Sequence, residues 1–135
     1  MASFVKFFPF VEALAEKAHN LGSDQLTIAL TNSAPTQSMA ALSEITEISY
    51  TNVSSRDITT DTSAQTSGTY KLVLDDLVLT ASGSVGPFRY VVLYNNTAAS
   101  DLLIGYYDYA SSITLASGET LTINFDDSNG VLQIA

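Results

Sequence analysis

Residues 86–109, GPFRYVVLYNNTAASDLLIGYYDY, decide the fold that this chain can adopt. Two runs within them, residues 88–94 and 102–109, are rich in the aromatic and β-branched side chains that suit strands. Pro87 has no N–H to donate to a neighbouring strand, so we expect the first strand to begin at or after it. The Asn, Thr, Ser and Asp residues between the runs favour a loop. The stretch therefore predicts a central β-hairpin.

Alternating apolar residues predict further strands on both sides of this hairpin. Residues 24–30 alternate with period two, and so do residues 69–81, where the pattern shifts by one residue at Asp75 and Asp76. Such a shift predicts a β-bulge or a break, because apolar side chains would otherwise turn outward. With turn signals at short intervals from residue 69 onward, the pattern predicts a mainly β protein, an antiparallel β-sandwich of jelly-roll or immunoglobulin-like type. We expect a single domain over residues 1–135.

The periodic faces of these strands also predict the core. Its expected members are Leu26, Ile28, Leu72, Leu74, Val91, Leu93, Leu121, Ile123 and Phe125. At residues 126–130, DDSNG contains the Asn-Gly pair that favours tight hairpin turns. We therefore expect it to close a last hairpin between residues 119–125 and 131–134.

One helix is predicted near the amino terminus. Phe10, Val11, Leu14, Ala15 and Ala18 recur at helical spacing and form one broad apolar face. The preceding Pro suits the first helical turn. We expect a helix over about residues 9–20, with the only histidine of the chain close to its negative end.

Two segments have weaker patterns. Residues 38–48 are compatible with a short helix or a loop, with Met39, Leu42, Ile45 and Ile48 facing inward. Residues 49–68 are almost entirely polar, which predicts a loop-rich region or a weak edge strand, because little apolar surface offsets the cost of ordering.

Composition restricts the partners of the chain. Five Lys and Arg against fourteen Asp and Glu give a net charge of −9, which repels phosphate backbones and anionic membrane surfaces. We therefore expect no direct nucleic-acid binding. No apolar run approaches the about 20 residues needed to span a bilayer, and the charged and proline residues near the amino terminus do not match a signal peptide. The absence of Cys excludes disulfides and thiolate metal sites.

Residues that carry chemistry are few. A Ser-His-Asp triad would have to use His19, for which stabilising the helix dipole is the simpler role. The pairs Asp75-Asp76 and Asp126-Asp127 offer oxygen ligands for calcium, but neighbouring strand residues point to opposite faces, and DDSNG favours a turn. We expect no enzyme activity, no cofactor and no metal site.

Tyrosines are concentrated in the central hairpin. They are Tyr90, Tyr94, Tyr106, Tyr107 and Tyr109. An exposed group of them would offer a stacking surface for sugars, whereas the simpler interpretation places alternate members in the core and the others in cross-strand pairs.

Residues 67–135, from SGTYKLVLDDLVLTASGSVGPFRYVVLYNN onward, resemble a family of small virion proteins of tailed bacteriophages. The segment AEKAHNLGSDQLTIALTNSAPT near the amino terminus is similar to the opening of that family. The resemblance implies a structural role, most simply as a capsid decoration or cement protein on the virion surface, made in the host cytoplasm. A decoration role implies contact with the major capsid protein and with copies of itself, and the local three-fold points of an icosahedral shell favour a homotrimer. The alternative is a tail-tip or fibre component that binds host-surface glycans.

The expected partner interface is a cluster of phenylalanines near the amino terminus. Phe4, Phe7, Phe8 and Phe10 carry more apolar surface than a three-turn helix obviously needs, and clustered exposed aromatic side chains often mark an interface. The alternative is that they seal one open edge of the sandwich core.

Overall fold

The computed structural model describes residues 2–135, which form ten strands, one α-helix and one short 3-10 helix. In chain order the elements are β1 (Phe4–Lys6), α1 (Phe8–Ala15), β2 (Leu26–Thr31), the 3-10 helix (Leu42–Glu44), β3 (Asp57–Ile58), β4 (Thr60–Thr66), β5 (Thr69–Leu74), β6 (Leu77–Thr80), β7 (Val85–Asn95), β8 (Leu103–Leu115), β9 (Thr120–Ile123) and β10 (Leu132–Ile134). Neither helix over residues 2–135 is long and apolar enough to cross a membrane.

The strands form three antiparallel sheets. The largest has the order β1-β8-β7-β2-β3, a second has the order β10-β5-β4, and β6 pairs with β9. Buried apolar side chains from all three sheets belong to one core cluster. The predicted antiparallel β-sandwich with a short amino-terminal helix is confirmed.

The central hairpin is the β7–β8 pair, with both strands longer than predicted. The expectation that the first strand begins at or after Pro87 is wrong, because Val85 already pairs with Leu115. Pro87 lies at a register shift between that pair and Phe88↔Ile113, where a residue without an N–H is tolerated.

The predicted core is largely confirmed. Eight of the nine predicted residues are buried, and Leu121 is partly buried against them. The break predicted at Asp75 and Asp76 is also present, because β5 ends at Leu74 in one sheet and β6 begins at Leu77 in another.

The helix is shorter than the predicted residues 9–20. Lys17 has a φ of 72°, the Lys17 N–H donates to Leu14 O, and the Ala18 N–H donates to Ala13 O. These two bonds and the left-handed residue form a Schellman cap that ends α1 at Ala15. Because lysine occupies the position that glycine usually takes, the sequence did not signal this end. His19 therefore lies outside the helix, and its predicted role at the helix end is wrong.

The polar region over residues 49–68 contains two strands as well as loops. β3 and β4 form outer strands of their sheets, which matches the alternative of a weak edge strand. Before it, residues 38–48 contain only the short 3-10 helix, whose Glu44 carboxylate accepts the N–H groups of Ala40 and Ala41.

The predicted last hairpin is wrong. β9 pairs with β6, and β10 pairs with β5 instead of β9. The Asp126 carboxylate accepts the N–H groups of Ser128 and Asn129, so DDSNG forms a turn as expected. That turn carries the chain from one sheet to another, because the Val131 N–H donates to Leu72 O in β5.

Candidate interaction surface

The amino-terminal phenylalanines are divided between core and surface. β1 lies at the edge of the five-stranded sheet, where Phe4 pairs with Tyr107 of β8. The half-buried Phe4 ring meets the Tyr107 ring edge-on, with 5.2 Å between their centroids. The Phe7 N–H then donates to Ile104 O at 3.1 Å and continues the contact with β8. This segment is a strand of the sheet and not a free arm.

Two of the four phenylalanines are unavailable to a partner. Phe7 is 0% exposed and Phe10 is 3% exposed, so their assignment to a partner interface is wrong. They lie three residues apart, which places both on the inward side of the turn from β1 into α1. For these residues the structure matches the alternative in which they seal the core.

Phe8 remains on the surface, together with one face of α1. Phe8 is 62% exposed and Val11 is 50% exposed, and with Ala15 they follow the i, i+3, i+7 spacing of one helix face. Exposed aromatic and aliphatic side chains in neighbouring positions are typical of contact surfaces.

A groove of about 590 Å³ lies beside this face. Its walls come from α1, from the segment after it, and from β5 and β10, and they include Val11, Leu14, Leu21, Tyr70, Leu132 and Ile134. Ile134 is 52% exposed at the edge of the three-stranded sheet. Sequence reasoning missed the β10 wall, because it paired β10 with β9.

The groove carries little charge of its own. Within residues 2–135, Lys6 is the one charged residue that lines it, and Glu12 of α1 and Glu16 directly after α1 are exposed. The groove is therefore apolar inside, with carboxylates on and directly after the adjoining helix. We call Phe8, Val11, Ile134 and this groove the α1–β10 surface.

A second concave region lies on β8. It has a volume of about 680 Å³, and its lining residues include Ala2, Tyr107, Asp108, Tyr109, Thr122 and Asn124. Asp108 is held by Arg89 through two hydrogen bonds of 2.8 and 3.1 Å, which keep the pKa of the Asp108 carboxyl below its usual value. Its oxygens are thus already engaged.

The tyrosines mostly follow the simpler interpretation. Tyr90, Tyr94 and Tyr107 are buried, whereas Tyr106 and Tyr109 are half-buried. Burial, with a smaller contribution from Tyr109 and two nearby carboxylates, raises the pKa of Tyr107 to about 12. Only Tyr109 therefore combines an accessible ring with a place in the β8 concavity.

One member of each acidic pair is engaged in local structure. The Asp76 carboxylate accepts the Phe125 N–H at 2.9 Å. Hydrogen bonds from the backbone and side chain of Asn129 lead the effects that lower the pKa of Asp126. Within residues 2–135, no group of three or more His, Asp or Glu side chains is placed to hold a metal ion.

His19 does not form a triad. Its hydrogen-bond partner is the Asn95 side chain and not a hydroxyl group. The arrangement therefore lacks the nucleophile that such catalysis requires.

Comparisons of the chain with profiles of known protein families, with curated proteins and with solved structures found no match.

Proposed function

We propose that this chain is a structural protein of a bacteriophage virion, a capsid decoration protein that binds the head shell through its α1–β10 surface. The observation that carries the proposal is the concentration of exposed apolar side chains on this surface of an otherwise acidic, hydroxyl-rich molecule. Three of the four exposed large hydrophobic residues found over residues 2–135, Phe8, Val11 and Ile134, belong to it. The resemblance to small virion proteins supports the choice of a shell as the partner.

The acidic charge supports such a role. A net charge of −9 keeps many copies soluble before assembly and discourages contact with packaged DNA. A homotrimer would match the local three-fold positions of an icosahedral shell. The expected partners are the major capsid protein and neighbouring copies of this chain.

The number of copies per particle tests the location. We expect quantitative mass spectrometry of purified virions to find the chain in hundreds of copies, in proportion to a shell of repeated subunits. About a dozen copies or fewer would place it in the tail and contradict the decoration role.

A matched pair of variants tests the surface. Val11→Asp places a charge beside the apolar groove, whereas Val78→Asp places one on β6, at a valine of similar exposure, 52% against 50%. We expect Val11→Asp to weaken co-sedimentation with undecorated capsids at least tenfold and Val78→Asp to leave it unchanged. Equal binding by both variants would rule out the α1–β10 surface, and light scattering on the same samples reports the oligomer mass.

A second candidate function, binding of host-surface glycans, is favoured by the β8 concavity. There an accessible tyrosine, Tyr109, lies beside Thr122 and Asn124, and aromatic rings with hydroxyl and amide groups suit sugars. We expect this candidate to give hits on a glycan array that Tyr109→Ala abolishes and Val78→Ala preserves. An array without hits would exclude it.

A further inference from the structure

A buried polar cluster joins the segment after α1 to the end of β7. His19 is 6% exposed and Asn95 is 0% exposed. The His19 Nδ1 lies 3.0 Å from the Asn95 Nδ2, and the same Nδ2 donates to Asp24 Oδ2 at 2.7 Å. On the other side, the His19 ring meets the Phe10 ring edge-on, with 5.0 Å between their centroids.

The hydrogen bonds of Asn95 fix where the histidine proton lies. Asn95 Oδ1 accepts the N–H groups of Thr97 and Ala98 at 2.9 and 3.0 Å, so its amide cannot be turned round without losing both bonds. Its NH₂ group must therefore face His19 and Asp24. The His19 Nδ1 has to accept a hydrogen bond, which places the proton of the neutral ring on Nε2.

This arrangement does not admit a charged ring. A second proton on the His19 Nδ1 would face the NH₂ group of Asn95, so two donors would meet at 3.0 Å. The Nε2 atom is buried and has no hydrogen-bond partner within residues 2–135. Protonation would thus add a buried charge and break the bond that ties His19 to β7.

A nearby carboxylate favours protonation of His19, but its effect is smaller than that of burial. Asp24, on the same connecting segment, attracts a proton to the ring, but burial has the larger effect and lowers the pKa of His19. The contacts from the other elements are neutral, namely Phe10 of α1 and Asn95 of β7.

We propose that His19, Asn95 and Asp24 form an acid-sensitive lock, which holds the segment between α1 and β2 against the end of β7 at neutral pH and releases it on acidification. Release would uncover Phe10 and Leu21, two buried side chains that already form part of the groove wall. The apolar surface available to a partner would therefore grow as the pH falls. The lock is a property of this chain alone, whichever partner it binds.

The direction of the pH effect follows from linkage. A released His19 has the ordinary pKa of about 6.5, and the locked one has a lower pKa, so the released state binds more protons between the two values. The stabilisation is complete above about pH 6.5 and is lost as the pH falls toward the lower value.

Hydrogen exchange on the intact chain tests the lock. After correction for the intrinsic pH dependence of exchange, we expect the amides of residues 16–24 to lose at least tenfold of their protection between pH 7.5 and pH 5.0. His19→Gln retains a side-chain acceptor for Asn95 but cannot titrate, so its protection over this segment should be equal at the two pH values. The proposal would be overturned if the native segment were equally protected at both pH values. It would also be overturned if His19→Gln lost as much protection on acidification as the native chain.

A titration of the native chain needs no variant. Because the chain has a single histidine, its imidazole C–H signals in an NMR spectrum report on His19 alone. We expect these signals to titrate with a midpoint below 6.5, in step with the loss of protection. A midpoint at or above 6.5, or titration without any change in protection, would exclude a lock.

Discussion

β2 and β4 are both antiparallel strands, but they are formed for different physical reasons. All six residues of β2 are buried, and none of the seven residues of β4 is. β2 lies inside the five-stranded sheet, whereas β4 is the outer strand of the three-stranded sheet and forms a hairpin with β5. In that hairpin Ser67 and Gly68 both have positive φ values, 51° and 85°, as the tight turn requires. Burial therefore determines β2, and local turn geometry determines β4.

The largest expected difference in unfolding free energy comes from truncating one isoleucine in each of the two sheets. Ile28 of β2 is 0% exposed and Ile134 of β10, next to β5, is 52% exposed. We expect Ile28→Ala to lower the free energy of unfolding by about 2–5 kcal/mol, because it leaves a cavity. Ile134→Ala should cost less than about 1 kcal/mol, because its side chain is half in solvent. Urea denaturation of both variants checks this, and similar losses would show that burial does not separate the sheets.

The sequence predicted one buried face of β2 and missed the other. Leu26, Ile28 and Leu30 alternate with residues that appear polar or small, yet Thr27 and Thr31 are 3% and 0% exposed. Their hydroxyls find hydrogen-bond partners: Thr27 Oγ1 donates to Asp57 Oδ1 of β3 at 2.9 Å, and Thr31 Oγ1 accepts the Ser33 N–H. A threonine suits either a buried or an exposed site, so the alternation of apolar residues could not reveal a strand covered on both faces.

The candidate site was less predictable than the fold. Phe7 and Phe8 are adjacent and identical in sequence, and only the start of α1 determines which one enters the core. The pairing of β10 with β5 depends on contacts across about sixty residues of chain, which no local pattern records. The acceptor role inferred for the His19 Nδ1 depends on the bonds of Asn95, which is 76 residues away.

A smaller loss of unfolding free energy is expected when a tyrosine hydroxyl that hydrogen-bonds to a strand of either sheet is removed. The Tyr50 hydroxyl accepts the Leu30 N–H of β2 at 2.9 Å and donates to Glu47. Tyr50→Phe leaves the Leu30 N–H without this acceptor, so we expect a loss of about 1–3 kcal/mol in unfolding free energy. In the other sheet, Ser63 Oγ, at 2.8 Å, is the one hydrogen-bond partner of the Tyr70 hydroxyl within residues 2–135.

Tyr70→Phe is the matched change, and its expected cost is about 0.5–1.5 kcal/mol, because the partly exposed Ser63 hydroxyl can turn to water. Thermal unfolding of the two variants under the same conditions ranks them. If Tyr70→Phe lost more stability than Tyr50→Phe, the hydrogen bond from β2 to the loop that carries Tyr50 would contribute little to the stability of β2.

The smallest effect is expected on β4 itself. Thr62 is exposed, and among the described residues its hydroxyl has one hydrogen-bond partner, the neighbouring Asp61 carboxylate, at 3.0 Å. Thr62→Ala should therefore change the unfolding free energy by no more than about 0.5 kcal/mol. Thr31→Ala removes a buried hydroxyl that accepts the Ser33 N–H at 3.1 Å, and it should cost more, about 1–3 kcal/mol.

The stability cost of Thr62→Ala, measured at different protein concentrations, tests whether β4 is exposed in solution. β4 is an outer strand, and an unpaired strand edge is able to pair with another chain. If β4 stays exposed in solution, the small effect of Thr62→Ala will be the same at micromolar and at hundredfold higher protein concentration. If the cost of Thr62→Ala grows with concentration while that of Thr31→Ala does not, β4 is covered by a second copy. The contrast between β2 and β4 would then hold only for the isolated chain, because association would give β4 the burial that β2 obtains within its own sheet.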